Sequence, residues 1–400
     1  MRLYNTQSLM TEEFVPVNNH VGIYVCGVTP YDTTHAGHAF TFLTYDILVR
    51  YLRYQGVDVT YVQNVTDIDD DILRKARERG MAWDDLARQE TDRYLRDMRN
   101  LNALPFDHYT HATQHVPEMQ EIITKLIAAD LAYVSNGSVY FSVEKDPDFG
   151  KLSHLAPEEM LPIANERGNF PDDPNKRAPI DFILWQAAAP GEPTWDSPWG
   201  LGRPGWHIEC SAMSMRYLGP TVDIHGGGYD LIFPHHEAEI AQSENATGVT
   251  PFVRIWMHVA MLDYQGEKMS KSLGNLVLAS EVLKTHSSDA FRLYLHSNHY
   301  RTRWEYDDEA IEHWSTVANS LAEAATTNEF ALDSVLDVSR QRERFLAALD
   351  DDLNTPMAIV ELQEIANAIL QAPVTDDIRP AQATLRELSE LLGLTLEPRA

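Results

Sequence analysis

The stretch "IYVCGVTPYDTTHAGH", Ile23 to His38, sets one cysteine, two histidines, two glycines and a proline within sixteen residues. Its first half belongs to "VGIYVCGV", which alternates and is β-branched, and it reads as a strand running into a turn at Thr29-Pro30. From about Thr33 to Gln55, Phe40, Leu43, Ile47 and Tyr51 recur at helical spacing, and Gly56 stands where a C-terminal cap belongs. "VDVTYVQNV" alternates again as a second strand, and "TDIDDDILRKARERG" opens a second helix with acids in its first turn. Strand, helix, strand, helix implies a parallel α/β sheet. In that setting Gly37 lets backbone approach a ligand closely, and His35 and His38 lie where the first helix points its free N–H groups. Such an end favours phosphate, although a helix start with one satisfied core histidine explains the same residues.

The rest of the chain divides by rhythm. Residues 101–200 hold two helical runs around "EMQEIITKLIAAD", a hairpin-like "YVSNGSVYFSV" and Pro-, Gly- and Trp-dense connections, so they read as an insertion between two halves of one domain, 1–100 and 201–308. The α/β pattern returns with "TVDIHGGGYDLIFPHHEAEIAQSE" and "RIWMHVAML". Within 309–400 strand signals vanish and helices dominate. No run of about eighteen apolar residues occurs and "MRLYNTQSLM" has no apolar signal core, which makes a cytoplasmic location the expectation. Two cysteines in 400 residues, Cys26 and Cys210, exclude a disulfide framework and leave both available as thiolates. A formal charge of -28 means that a nucleic-acid partner needs a local basic patch.

"GEKMSKSLGN", Gly266 to Asn275, is the second chemical element. Lys268 and Lys271 on a Gly- and Ser-rich loop can reach a polyphosphate as point charges, and Gly274 lets the loop close. Together with His-Ala-Gly-His at 35–38, this Lys-Met-Ser-Lys-Ser string resembles the paired signatures of class I aminoacyl-tRNA synthetases. "IYVCG", "YVQNVTDIDD", "RPGWHIECSAMSM", "DIHGGGYDLIFPHHEAEIAQSE" and "EKMSKSLGN" narrow the likeness to the cysteine branch. That branch holds the cysteinyl-tRNA synthetases and the cysteine ligases of mycothiol biosynthesis. The likeness spans roughly residues 20 to 310. It implies a Rossmann-like catalytic core with an inserted α+β segment and a helical C-terminal domain; the tRNA enzymes usually continue into a small anticodon-binding domain, and with the sequence ending at Ala400 none is expected here.

Site residues follow from the resemblance. The family zinc falls on Cys26, Cys210, His235 and Glu239, although sequence separation alone would not make these a site. Within "FPHHEAE", His236 and Glu237 are further candidates. Cysteine and serine differ by one atom, and a pocket relying on shape discriminates poorly between near-isosteres. A zinc ion that accepts the substrate thiolate prefers sulfur over a hydroxyl. Thr66, Trp206, His225 and Asp230 would line the cysteine pocket, with Gly226, Gly227 and Gly228 allowing close approach. Gly27, Thr29, Gly37, Thr41, Asn64, Gly228, Lys268 and Lys271 would hold ATP and the adenylate, and His35, His38 and the two lysines would stabilise charge on the phosphates with Mg2+. The run Asp67, Asp69, Asp70 and Asp71 is read as the acidic first turn of a helix rather than as a magnesium site.

The implied reaction is ATP-dependent activation of cysteine to cysteinyl-adenylate. For its acceptor, Glu239 and the "IHGGGYDLIFPHHEAEIAQSE" match favour tRNA-Cys. The chain's end at Ala400, and eight Arg, no Lys and twenty Asp or Glu across 301–400, favour a small amine. The expectation is therefore transfer to an amine such as glucosaminyl-inositol, with a compact tRNA-charging enzyme as the alternative and a non-catalytic nucleotide-binding paralogue as a third reading.

Overall fold

The computed structural model describes residues 1–31, 34–269, 274–327 and 334–397, and for Lys268 the backbone only. A hairpin of β1 (Arg2–Asn5) and β2 (Met10–Glu13) precedes β3 (His20–Val28), α1 (Ala36–Tyr54), β4 (Asp58–Val65), α2 (Asp70–Arg79), α3 (Trp83–Asn100) and β5 (His108–His111). α4 (Val116–Ala128) leads to an antiparallel sheet of β6 (Ala132–Ser135), β7 (Ser138–Phe141), β8 (Phe182–Ala187) and β9 (Gly202–Pro204), with α5 (Pro157–Glu166) between β7 and β8. α6 (Trp206–Leu218), β10 (Val222–Gly228), α7 (Glu237–Thr247) and β11 (Val253–Val259) rebuild the α/β alternation. A small sheet of β12 (Leu262–Tyr264), β13 (Glu267–Lys268) and β14 (Trp304–Glu305) encloses α8 (Ala279–Thr285) and α9 (Ser288–His296) in sequence, before α10 (Ala310–Thr326), α11 (Ser339–Asp350), α12 (Thr355–Leu370) and α13 (Arg379–Leu391).

The central sheet runs β11-β10-β3-β4-β5, and every pairing in it is parallel. β3 is buried along most of its length, as a strand covered on both faces should be. From β3 the chain crosses by α1 to β4 on one side, while from β10 it crosses by α7 to β11 on the other. Adjacent β3 and β10 therefore mark the switch point of the sheet, and a ligand crevice belongs beyond their carboxyl ends.

Phe40, Leu43, Ile47 and Tyr51 are all buried, which is the face the helical spacing requires. α1 starts at Ala36 rather than near Thr33, because His35 takes the capping position. One further difference has a simple cause. His108–His111 lacks an apolar alternation, yet its backbone pairs with β4 and places it in the central sheet. Trp206 is the first residue of α6, which puts its side chain at the helix start. No helix among the described residues is long and apolar enough to cross a membrane.

One polar hub joins α1 to the C-terminal helices. The buried Arg292 of α9 pairs with Asp46 of α1 and donates to Leu392 O and Leu101 O, both at 2.8 Å. Arg50 adds a second cation to Asp46 at 3.0 Å. Burial opposes ionisation of Asp46, but Arg292 and Arg50 outweigh it and hold the carboxyl below its ordinary range.

Candidate active site and metal centre

A cleft of about 1230 Å³ opens beyond the carboxyl ends of β3 and β10. Gly27 and Thr29 line it at the end of β3, and His35, Gly37, His38 and Thr41 line it at the start of α1. The His35 ring caps α1, its Nδ1 accepting from Gly37 N at 3.1 Å. An accepting Nδ1 carries no proton, so in the neutral ring the proton sits on Nε2. His38 stacks on His35 with 3.8 Å between ring centroids. Gly27 is required by packing: a Cβ there would lie 1.7 Å from the Asn64 carbonyl oxygen.

Backbone bonds hold the two signature segments together. Ala36 N donates to Val277 O at 2.8 Å and Ala279 N to Thr34 O at 3.1 Å. Met269 and Leu276, flanking the described edge of the Lys-Met-Ser-Lys-Ser segment, also line the cleft. The Lys268 backbone pairs with Asp263, and Lys271 lies outside the described residues.

At the base of the cleft, Cys26, Cys210, His235 and Glu239 converge, all buried. Cys26 Sγ lies 3.4 Å from Cys210 Sγ, 3.6 Å from His235 Nε2 and 3.5 Å from Glu239 Oε1, and His235 Nε2 lies 3.1 Å from that oxygen. A tetrahedral zinc with ordinary bond lengths would set these separations at about 3.8, 3.6, 3.6 and 3.4 Å. The donor set and its spacing therefore fit that ion. Burial, with Cys210 and Glu239 alongside, pushes the Cys26 thiol well up, and burial also raises Cys210 and Glu239. The protein supplies no Lys or Arg to balance them among the described ion pairs.

Outer partners orient the donors. His235 Nδ1 faces His207 Nδ1 at 3.0 Å, and Glu239 Oε2 faces His225 Nε2 at 2.8 Å. Burial pushes His207 down to about 3, so its ring stays neutral and can accept from His235. Of the two other candidates in "FPHHEAE", His236 points Nε2 at Cys26 Sγ from 3.3 Å, giving a second convergence of Cys26, His225 and His236. Glu237 turns away and accepts from Ser153 N at 2.7 Å. His207 and the His236–His258–Thr6 chain at 2.7 and 2.8 Å escaped the sequence reading, because only the fold brings them to the cluster.

The cysteine-pocket candidates split into two layers. Trp206 and Asp230 line the cleft, as does Gly228, whereas Thr66 and His225 lie buried beneath its surface. Asn64 is buried too, its Oδ1 accepting from Gly27 N at 2.8 Å. Gly226 serves packing rather than ligand approach, since a Cβ there would lie 1.7 Å from Met257 O on β11. The aspartates have structural partners: Asp67 takes Thr113 N at 2.9 Å, Asp69 caps α2 at Asp71 N, Asp70 pairs with Arg203, and Asp71 pairs with Arg74 at 2.7 Å.

The family model for the tRNA synthetases class I (C) catalytic domain matches residues 13–316, and that for the DALR domain matches residues 344–397. The chain belongs to the cysteine branch of the class I tRNA synthetases. A cysteine–tRNA ligase of Dehalococcoides mccartyi is 46% identical over 99% of this chain and 87% of its own. One from Legionella pneumophila is 46% identical over 98% and 85%. The fold of this synthetase is also that of Mycobacterium tuberculosis methionyl-tRNA synthetase in complex with methionyl-adenylate, with a TM-score of 0.63 at 18% identity, covering 93% of this chain and 89% of that one. As a member, the synthetase is a ligase that works through an aminoacyl-adenylate.

Proposed function

We propose that this synthetase activates cysteine with ATP and charges tRNA-Cys, holding one zinc ion on Cys26, Cys210, His235 and Glu239. The observation that carries the reading is the convergence of those four donors at the base of the cleft that His35 and His38 line. For the acceptor, 46% identity with cysteine–tRNA ligases over nearly the whole chain supports the alternative of the sequence reading. The small amine preferred there, glucosaminyl-inositol, finds no such support. The acidity of 301–400 weighs little against this reading, because a regional average says little about one contact surface. In this reading residues 101–200 wall one side of the cleft, and 309–400 form the helical unit.

In the first step a cysteine carboxylate oxygen attacks the α-phosphorus of ATP in line, and pyrophosphate leaves with the broken P–O bond's electron pair. The His35 Nε2–H, His38 and the N-terminus of α1 donate to the phosphate oxygens as charge builds, with Lys268 and Lys271 as cations. Mg2+ arriving with ATP would neutralise the phosphates further. Bound zinc would take the substrate thiolate and refuse serine's hydroxyl. Trp206 and Asp230 place the amino acid, Asp230 as a partner for its ammonium. In the second step a terminal ribose hydroxyl of tRNA attacks the carbonyl carbon and AMP departs.

Cysteine-dependent ATP–pyrophosphate exchange tests the first step: exchange is expected with cysteine, and equal exchange with serine would defeat the reading. Offering tRNA and glucosaminyl-inositol separately tests the second, with charging expected only for tRNA.

A further inference from the structure

The junction of α11 and α12, "DDDLNTP" at 350–356, is acidic, yet its third aspartate is buried: Asp352 is 4% exposed. Asp352 and Leu353 follow one another at φ 56° and 51°, in the left-handed region that bulky residues avoid. Held in this way, the Asp352 carboxylate meets donors from two other parts of the chain. Its Oδ1 accepts from Tyr4 N at 2.8 Å and from the Tyr300 hydroxyl at 2.6 Å, and its Oδ2 accepts from Arg301 Nε at 2.7 Å and Nη2 at 2.6 Å. A carboxylate, which accepts and does not donate, is the side chain that matches such a set.

Tyr300 and Arg301 open a strip that runs behind one wall of the cleft. Tyr300 O accepts from Ala260 N at 2.7 Å, and Trp304 and Glu305 of β14 pair with Leu262 and Asp263 of β12. Tyr306 N donates to Asp263 O at 2.8 Å, Arg303 Nε reaches the Asp263 carboxylate at 2.6 Å, and Gly266 N donates to Glu305 Oε1 at 2.7 Å. Residues 300–306 therefore back the chain from Ala260 to Gly266. Ala260, Met261 and Leu262 of that stretch line the cleft, and β12 pairs onward with β13, which ends at Lys268. The four metal donors, Trp206 and Asp230 lie elsewhere, on β3, α6, the connection from β10 to α7, and α7. Displacing the strip would thus disturb the ATP side of the cleft and leave the cysteine side in place.

We propose that Asp352 is a positioning residue for ATP: through Tyr300 and Arg301 it fixes the strip that holds the 260–262 wall and the strand leading to Lys268. The inference rests on the cysteine-activation reading, in which that strand belongs to the ATP site, and adds a residue to it. Asp352 touches no substrate; it acts from the helical unit through the backbone of 300–306.

The test measures the KM of ATP and the KM of cysteine in ATP–pyrophosphate exchange on the metal-loaded enzyme. Asp352→Asn keeps the size but sets an NH2 group against donors whichever way the amide turns, and it is expected to raise the ATP KM roughly fivefold or more. The cysteine KM should stay within about twofold. Tyr300→Phe removes one bond and leaves Arg301 on Asp352, so the ATP KM should rise roughly threefold, again without the cysteine KM. This variant decides the matter should Asp352→Asn not fold. Thr355→Val is the control: it cuts another bond of the same junction, Thr355 Oγ1 to His296 O at 2.9 Å, and should leave both KM values within about twofold. A role in folding alone lowers the number of working sites, and hence the rate, and moves neither KM. An ATP KM within about twofold of wild type in Tyr300→Phe, equal rises for both substrates, or the same rise in Thr355→Val overturns the inference. Wild-type enzyme without cysteine-dependent exchange would instead sink the parent reading.

Discussion

Two buried charge clusters in this molecule make opposite use of burial. At the hub, Asp46 is 2% exposed and meets two guanidinium groups of the chain itself, so its carboxyl is held ionised. At the base of the cleft, Cys26, Cys210 and Glu239 are also buried, but burial raises all three and no Lys or Arg among the described ion pairs answers them. A complete cluster joins parts of a fold; one that lacks its cation is a place for something the fold does not contain. The same physics, the cost of an uncompensated charge away from water, separates a structural device from a ligand site.

The sharpest way to break this contrast is to remove a donor from the incomplete cluster. Cys210→Ser should abolish tight zinc retention and lower cysteine-dependent exchange by roughly 10²-fold or more, read by elemental analysis of the purified protein and by exchange rate. Full metal content and full preference for cysteine over serine in that variant would contradict the donor assignment. Next in size, Asp46→Ala leaves Arg292 buried without its carboxylate. It should cost about 3–5 kcal/mol in urea unfolding, while metal content of the folded protein stays at wild-type level.

The pH dependence of stability sharpens the contrast further. Asp46's folded pKa lies below its unfolded value, so its stabilisation is present above about pH 4 and is lost as pH falls through the folded value. Asp46→Asn should therefore unfold with a shallower slope against pH in that acid range than wild type does. The smallest effect belongs to the second cation: Arg50→Met keeps Arg292 in place. It should cost about 1–3 kcal/mol in the same unfolding measurement, less than Asp46→Ala.

Much of the fold could be read from period and punctuation. β3, α1, β4 and α2 follow from the alternation around Val25, the spacing of Phe40 to Tyr51, and Gly56, because these signals are local. β5 could not be read, since His108–His111 owes its place to backbone pairing with β4 rather than to side-chain pattern. The four metal-binding candidates came from family likeness, and no spacing rule would have joined Cys26 to Cys210. The glycine run at 226–228 misled in part, because a glycine demanded by a neighbouring strand looks the same in sequence as one demanded by a ligand.

The main-chain bonds between Thr34–Ala36 and Val277–Ala279 carry a consequence for how the enzyme tolerates change. Side-chain replacement leaves these backbone amides in place, so the bonds do not depend on which residue stands there, even though the buried Ala36 and Ala279 have room only for small side chains and His35 has its own role. Proline is the exception, since it has no N–H to give. The demand on this junction is thus one of backbone geometry: Ala36→Pro or Ala279→Pro, or a single inserted residue between 276 and 279, would uncouple two ATP-binding segments that lie about 230 residues apart in the chain.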